Sequence, residues 1–329
     1  MCKENYSENI FDMYNGKVNR CEAGLKDDKN PLKLYLFIAS LYILLVIVLP
    51  ANKAAMKAYN LESFTYHLIL LLAIVPSVIT WFFAFYSYYR LKTYASAVSN
   101  TPEGSGFAHI AKGNAWLAVG ISVSAILSIC LNTIANSHPG FLNIAIIINH
   151  YALVIVPLFA FSYIGQGARH LAEHTRAHLS VNAAKAIVLI FAVLGAVFCY
   201  LVFRRLNLHD LTSADNAYYL PAWLIITTII IPCLYAWFAG LLAAYEMVVY
   251  SRHVAGVFYR QSMHLVAGGL LLVILSSVGL EYLRAAVPRT GHLSLNMALV
   301  VTYLIYLVMG AGYALVSVGA RRLKRIEEI

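Results

Sequence analysis

Three groups of residues in this 329-residue chain have types and spacings that could do chemistry. The first is a histidine stripe, His170, His174 and His178, spaced i, i+4 and i+8. A helix would put all three on one face, where adjacent pairs could hold a divalent transition ion. Arg169 and Arg176 flank the stripe and no further ligands accompany it, so a solvated amphipathic linker is the preferred reading and no metal is expected. The second group is a pair of opposite charges, Arg90 and Glu246, each near the end of an apolar run. They could form a salt bridge that locks two parts of the molecule or opens as a gate, or each could reach water on its own. The third group is polar residues inside or at the edge of apolar runs: Asn132, Asn143, Asn149, His150, Glu281 and Asn296. Asn149 and His150 sit well within their run, and the others lie towards one end. Together they would line a polar vestibule, or else satisfy the open ends of helices.

The elements that must position these groups follow from composition. Apolar types make up 61% of the chain and charged types 12%, with a mean hydropathy of +0.71. Soluble domains have about 25% charged residues, so the expectation is an all-α, polytopic integral membrane protein. Disorder, collagen, coiled coil and a disulfide-rich scaffold are excluded. Eight runs are long enough for a hydrocarbon core of about 30 Å. They cover roughly Leu34 to Pro50, His67 to Tyr89, Ala115 to Ala135, Phe141 to Ile164, Ala183 to Phe203, Leu220 to Val249, Leu265 to Leu283 and Leu295 to Val318. None shows period-two alternation, so they are read as helices and not as barrel strands. The first run begins too late for a cleaved signal peptide and is read as a retained span.

Eighteen of the 24 Lys and Arg residues fall on the side that holds both termini, and six on the other. By the positive-inside rule both termini are cytoplasmic, in a multi-pass protein of the cell membrane. The net charge of +9 is then mostly a topology signal, compatible with anionic lipid and not with nucleic acid. The five cysteines, Cys2, Cys21, Cys130, Cys199 and Cys233, are scattered and lack zinc spacing.

The chain also repeats itself. At an offset of 156, Ile74, Pro76, Trp81, Phe82, Tyr89, Tyr94 and Val98 fall on Ile230, Pro232, Trp237, Phe238, Tyr245, Tyr250 and Val254. The same offset relates Arg90 to Glu246. In the third and seventh runs Leu117, Gly120, Ile126, Leu127 and Ser128 are aligned with Leu265, Gly268, Ile274, Leu275 and Ser276. The fourth and eighth runs open on Leu142-Asn143-Ile144-Ala145 and Leu295-Asn296-Met297-Ala298, and close on Gly167-Ala168-Arg169 and Gly319-Ala320-Arg321. The expected organisation is a cytoplasmic segment at 1–30, a four-helix unit at 31–171, a linker at 172–182, a second unit at 183–323 and a tail at 324–329. Four spans per unit leave both copies in one orientation, with a pseudo-twofold axis along the membrane normal. Pro76 with Trp81, and Pro232 with Trp237, are read as matched kinks with an aromatic packed nearby. Ala236, Gly240 and Ala244 make a small-residue stripe for close helix approach. Tyr86, Tyr88, Tyr89 and Tyr94 read as an interfacial belt.

Catalytic signatures are missing. There is no Walker A, HExxH or GxSxG motif, and Gly310 and Gly312 make no dinucleotide turn. His67, His109, His150 and His264 do not recur at equivalent positions, so no paired haem ligands are expected. The chain is therefore read as a non-enzyme without cofactor. The leading function is a transporter or channel-like permease for a small neutral or lipophilic solute, with its pathway between the two repeats. The alternative is a non-catalytic scaffold or sensor that binds lipid or a protein. Met1 to Asn30, with Tyr6, Phe11 and Tyr14, could dock a cytoplasmic partner. A homo-oligomer is compatible with either reading.

Overall fold

The computed structural model describes residues 30–48, 62–137, 142–172, 231–253, 256–290 and 295–327. Seven α-helices carry these residues: α1 Asn30–Val48, α2 Ser63–Ala97, α3 Pro102–Ser137, α4 Leu142–Ala172, α5 Ile231–His253, α6 Val257–Thr290 and α7 Leu295–Glu327. Among the described residues, α1, α2, α3, α5, α6 and α7 each contain a window long and apolar enough to cross a membrane. The molecule is a helical membrane protein. The expected fifth run, Ala183 to Phe203, lies outside the described residues.

Several helices outrun their apolar stretches. The second run was expected to stop at Tyr89 and the third to begin at Ala115, whereas α2 continues to Ala97 and α3 starts at Pro102. Hydropathy marks where lipid ends, but a helix continues until its backbone is capped. The stop here is chemical. Thr101 precedes Pro102 and its hydroxyl accepts the Gly104 N–H at 3.3 Å, while the Val98 N–H returns to the Tyr94 carbonyl. A capping threonine followed by proline at the first helical position is a strong start signal.

Helices α2 to α7 form a closed circuit. Each packs on the next, α4 packs on α5 across the gap in the described chain, and α7 returns to α2. Helix α1 lies outside it, against α2 and α3. The core runs through the circuit and holds Trp81, Phe85, Phe107, Phe161 and Tyr313, all almost fully buried. The outward faces are apolar too: Phe37, Phe64 and Phe238 are 67%, 78% and 65% exposed. So broad a display of bare aromatic and aliphatic side chains is what lipid covers.

Two helix pairs are the tightest, and they are built alike. A Cβ on Gly113 of α3 would lie 2.5 Å from the Ala160 carbonyl oxygen of α4 and would also strike Ile164. A Cβ on Gly269 of α6 would lie 2.5 Å from the Gly312 carbonyl oxygen of α7 and would strike Val316. One turn or two further on, Gly167 abuts Gly106 and Ile110, and Gly319 abuts Ser262 and Val266. Only glycine lets two backbones approach so closely, and close approach is the main source of helix affinity in lipid.

Several buried serine hydroxyls keep their hydrogen bonds local. Ser122, Ser262 and Ser276 donate to the carbonyls of Ala118, Phe258 and Leu272, four residues back on their own helices. Such back-bonding hides a polar group from lipid at little cost. Between helices, Asn114 of α3 donates from Nδ2 to Ser87 Oγ of α2 at 2.8 Å, and Ser87 in turn donates to the Ala84 carbonyl.

Candidate functional site

The proline of α2 sets the first feature. Pro76 has no N–H, so the Leu72 carbonyl loses its helical donor. An orphaned carbonyl in hydrocarbon costs several kcal/mol, of order 2–7. The hydroxyl of Tyr303 on α7 donates to that Leu72 carbonyl. One turn along, Thr80 Oγ1 reaches both the Pro76 carbonyl of its own helix and the Tyr306 carbonyl of α7, each at 2.8 Å. Gly310 of α7 lies against Thr80, with no side chain of its own to hold the helices apart. The acceptor freed by Pro76 is thus one of the points at which α7 is bonded to α2, with Thr80 and the Tyr306 carbonyl another.

Trp81, the aromatic expected beside the kink, is buried and packs on Tyr42 of α1 with ring centroids 4.8 Å apart. Trp237 is packed against the same core, and Pro232 is the second residue of α5. Neither indole N–H has a hydrogen-bond acceptor among the described residues.

The second feature joins α2, α3, α5 and α6. Glu103, in the first turn of α3, accepts a hydrogen bond from Tyr250 of α5 at 2.5 Å and another from Tyr259 of α6 at 3.2 Å. Tyr94 of α2 borders both of these tyrosines and packs edge-on against Phe107 at 4.7 Å. Tyr94 and Tyr250 are 156 positions apart in sequence, and so are Glu103 and Tyr259. Such a cluster can close one end of the helix circuit with charge-assisted hydrogen bonds, and it can release that end if they break.

The charges singled out in sequence fall as follows. Arg90 is half-buried on α2 and donates from Nε to the Tyr86 hydroxyl at 2.9 Å, with its guanidinium 4.8 Å from the Tyr86 ring centroid. Glu246 is buried on α5, 5% exposed. The two helices stand opposite one another in the circuit. His170 lies on α4 with its ring 5.1 Å from that of His109 on α3, a neighbour that stripe spacing could not reveal. His174 and His178 lie outside the described residues. Asn132 sits in α3, Asn143, Asn149 and His150 in α4, Glu281 in α6 and Asn296 in α7; their side chains lie outside the described residues. The described residues contain no group of three or more potential metal ligands.

Sequence reading missed three things here. Pro157 lies inside α4 and is buried; it was visible in the run but has no proline counterpart across the repeat. The Tyr303 and Leu72 contact spans 231 positions and leaves no local trace. Glu103 was passed over because it precedes the apolar part of its helix.

Comparison of the chain with protein-family models, with curated proteins and with solved structures finds no match.

Proposed function

We propose that the chain is a membrane permease for a small neutral or lipophilic solute, built from two four-helix repeats with its pathway along their interface. The observation that carries the reading is the Glu103, Tyr250 and Tyr259 cluster, which draws together residues from both proposed halves at one end. In a twofold assembly a residue meets its own equivalent only at the axis. Tyr94 with Tyr250, and Glu103 with Tyr259, are two such pairs at the offset of 156.

The glycine contacts support the same duplication and refine its register. Gly113 with Ala160 and Ile164 corresponds to Gly269 with Gly312 and Val316, at offsets of 156 and 152. Burial follows the same register: Phe107, Ile110 and Leu117 match Met263, Val266 and Val273, all fully buried. Helices α3 and α6 therefore align better at 156 than at the offset of 148 that pairs Gly120 with Gly268, about two helical turns away. The proposal keeps eight spans, units at 31–171 and 183–323, and both termini in the cytoplasm. The lysine- and arginine-rich end then carries the tyrosine and glutamate cluster as a closed cytoplasmic gate.

The scaffold reading has its own support in the seam between α2 and α7, where the Thr80 hydroxyl donates to the Tyr306 carbonyl and Gly310 lies against Thr80. Stopped-flow shrinkage of proteoliposomes, with a panel of small neutral solutes, separates the two. The permease reading expects solute entry above that of protein-free vesicles, and a faster leak in Tyr250→Phe/Tyr259→Phe. If neither protein exceeds empty vesicles for any solute, transport is abandoned and the scaffold stands. Reversing Arg90 and Glu246 together tests the proposed charge pair: a double reversal no better than either single one removes it.

A further inference from the structure

A cavity of about 410 Å³ opens between the end of α2 and the start of α3. Tyr88, Lys92 and Ser96 of α2 line one wall, and Ser105 and Lys112 of α3 line the other. Its remaining lining is mostly small, with Ala95, Ala111 and Gly104 buried beneath. No carboxylate is among the residues that line it. Lysines on two facing helices, with serines and a tyrosine beside them, give this lining the residue types that suit a phosphate group with net negative charge.

The height of the cavity says which phosphate. On α2 no Asp, Glu, Lys or Arg occurs from Phe64 to Tyr89, and on α3 none occurs from Gly113 to Ser137. Lys92 and Lys112 therefore stand at the charged border of both apolar stretches. That border is the level of lipid headgroups, where tyrosine also concentrates. Juxtamembrane lysines are attracted there by anionic lipid.

The fold itself does not call for these lysines. At the offset of 156, Lys92 falls on Val248 and Lys112 on Gly268, while the buried alanine Ala111 falls on the buried Ala267. The second half thus keeps the packing and drops both charges. We infer that the cavity between α2 and α3 is a binding site for the headgroup of an anionic phospholipid, held by Lys92 and Lys112, and present on one half of the molecule only. This rests on the membrane-spanning fold and is independent of whether the protein transports a solute.

Native mass spectrometry of the full chain in detergent, titrated with phosphatidylglycerol, tests it. The expected result is a single saturable adduct that phosphatidylcholine of the same chain length does not form. Lys92→Gln or Lys112→Gln should weaken it about fivefold, and the double variant about thirtyfold, at roughly one surface-lysine contribution each. Lys92→Arg/Lys112→Arg should retain it, and Lys33→Gln, an exposed lysine at the start of α1, should leave it unchanged. Thermal unfolding of each variant checks that the fold is intact, and the charge-preserving arginine variant covers any loss of stability. Equal binding of phosphatidylcholine, or an equal loss in Lys33→Gln, would overturn the site. Displacement of the lipid by millimolar inorganic phosphate would overturn the lipid as its ligand in favour of a free anion.

Discussion

A single hydroxyl decides how α2 tolerates its proline. Tyr303 supplies the donor that Pro76 withholds from the Leu72 carbonyl. Hydrogen bonds in lipid average about 0.6 kcal/mol and reach about 1.7. Tyr303→Phe should destabilise the protein by about 1–2 kcal/mol in micelle unfolding, near the upper end because the carbonyl has no helical alternative. Pro76→Ala restores the backbone donor, so Tyr303→Phe made in that background should cost little. A double-mutant cycle with no coupling would show that the hydroxyl serves no such purpose. Neighbouring glycines offer a second residue-scale contrast. Gly268 has nothing within 4 Å of a built Cβ, whereas Gly269 faces the Gly312 carbonyl oxygen at 2.5 Å. Gly268→Ala should be neutral or slightly stabilising in a helix. Gly269→Ala should cost about 1–3 kcal/mol by overpacking, read by the same unfolding assay; equal effects at the two sites would contradict the observed register of α6 on α7.

Elements carry the likeness between the two proposed halves more plainly than residues do. Helices α3 and α4 lock through Gly113, and α6 and α7 lock through Gly269, with the same kinds of neighbour at each. Gly113→Ala should therefore match Gly269→Ala in cost, about 1–3 kcal/mol, when both are unfolded under one set of conditions. A much smaller effect at one of them would break the equivalence. Much of this scale was legible in advance. Long apolar runs, their helical nature and the position of Pro76 come from local chemistry, since lipid leaves the backbone few options. Helix ends were not, because α2 and α3 extend past their apolar runs, α2 to a cap at Val98 and α3 from a capping threonine that hydropathy does not register. The proposed duplication favours an offset of 156 over one of 148 between the third and seventh runs for a related reason. Leu, Ile and Ser recur often enough in apolar helices to match by chance, whereas a glycine jammed against a carbonyl cannot be shifted by two turns.

At the largest scale, six of the described helices close on themselves and α1 packs against α2 and α3 from outside that circuit. If the chain descends from a dimer of four-helix units, its halves should still recognise one another. Co-expression of residues 1–175 with residues 176–329, one half tagged, should give co-purification through the α2 to α7 and α4 to α5 contacts. Halves that accumulate separately in the membrane without pairing would argue against the duplicated assembly. Substitutions at that seam, such as Thr80→Leu, should weaken the pairing, since Thr80 bonds to the Tyr306 carbonyl and faces Gly310.

The amino-acid sequence determined by itself that this is a helical membrane protein and where its apolar runs lie. Those properties are set by the solvent: hydrocarbon demands apolar side chains and a self-satisfied backbone within each segment, so the information is local. Only the tertiary structure decided what the polar residues do. Glu103 meets Tyr250 and Tyr259 across 147 and 156 positions, and Leu72 meets Tyr303 across 231. In lipid each polar group must find a partner, but which helix supplies it depends on rotation and close approach, and those are set by glycine contacts between elements far apart in the chain.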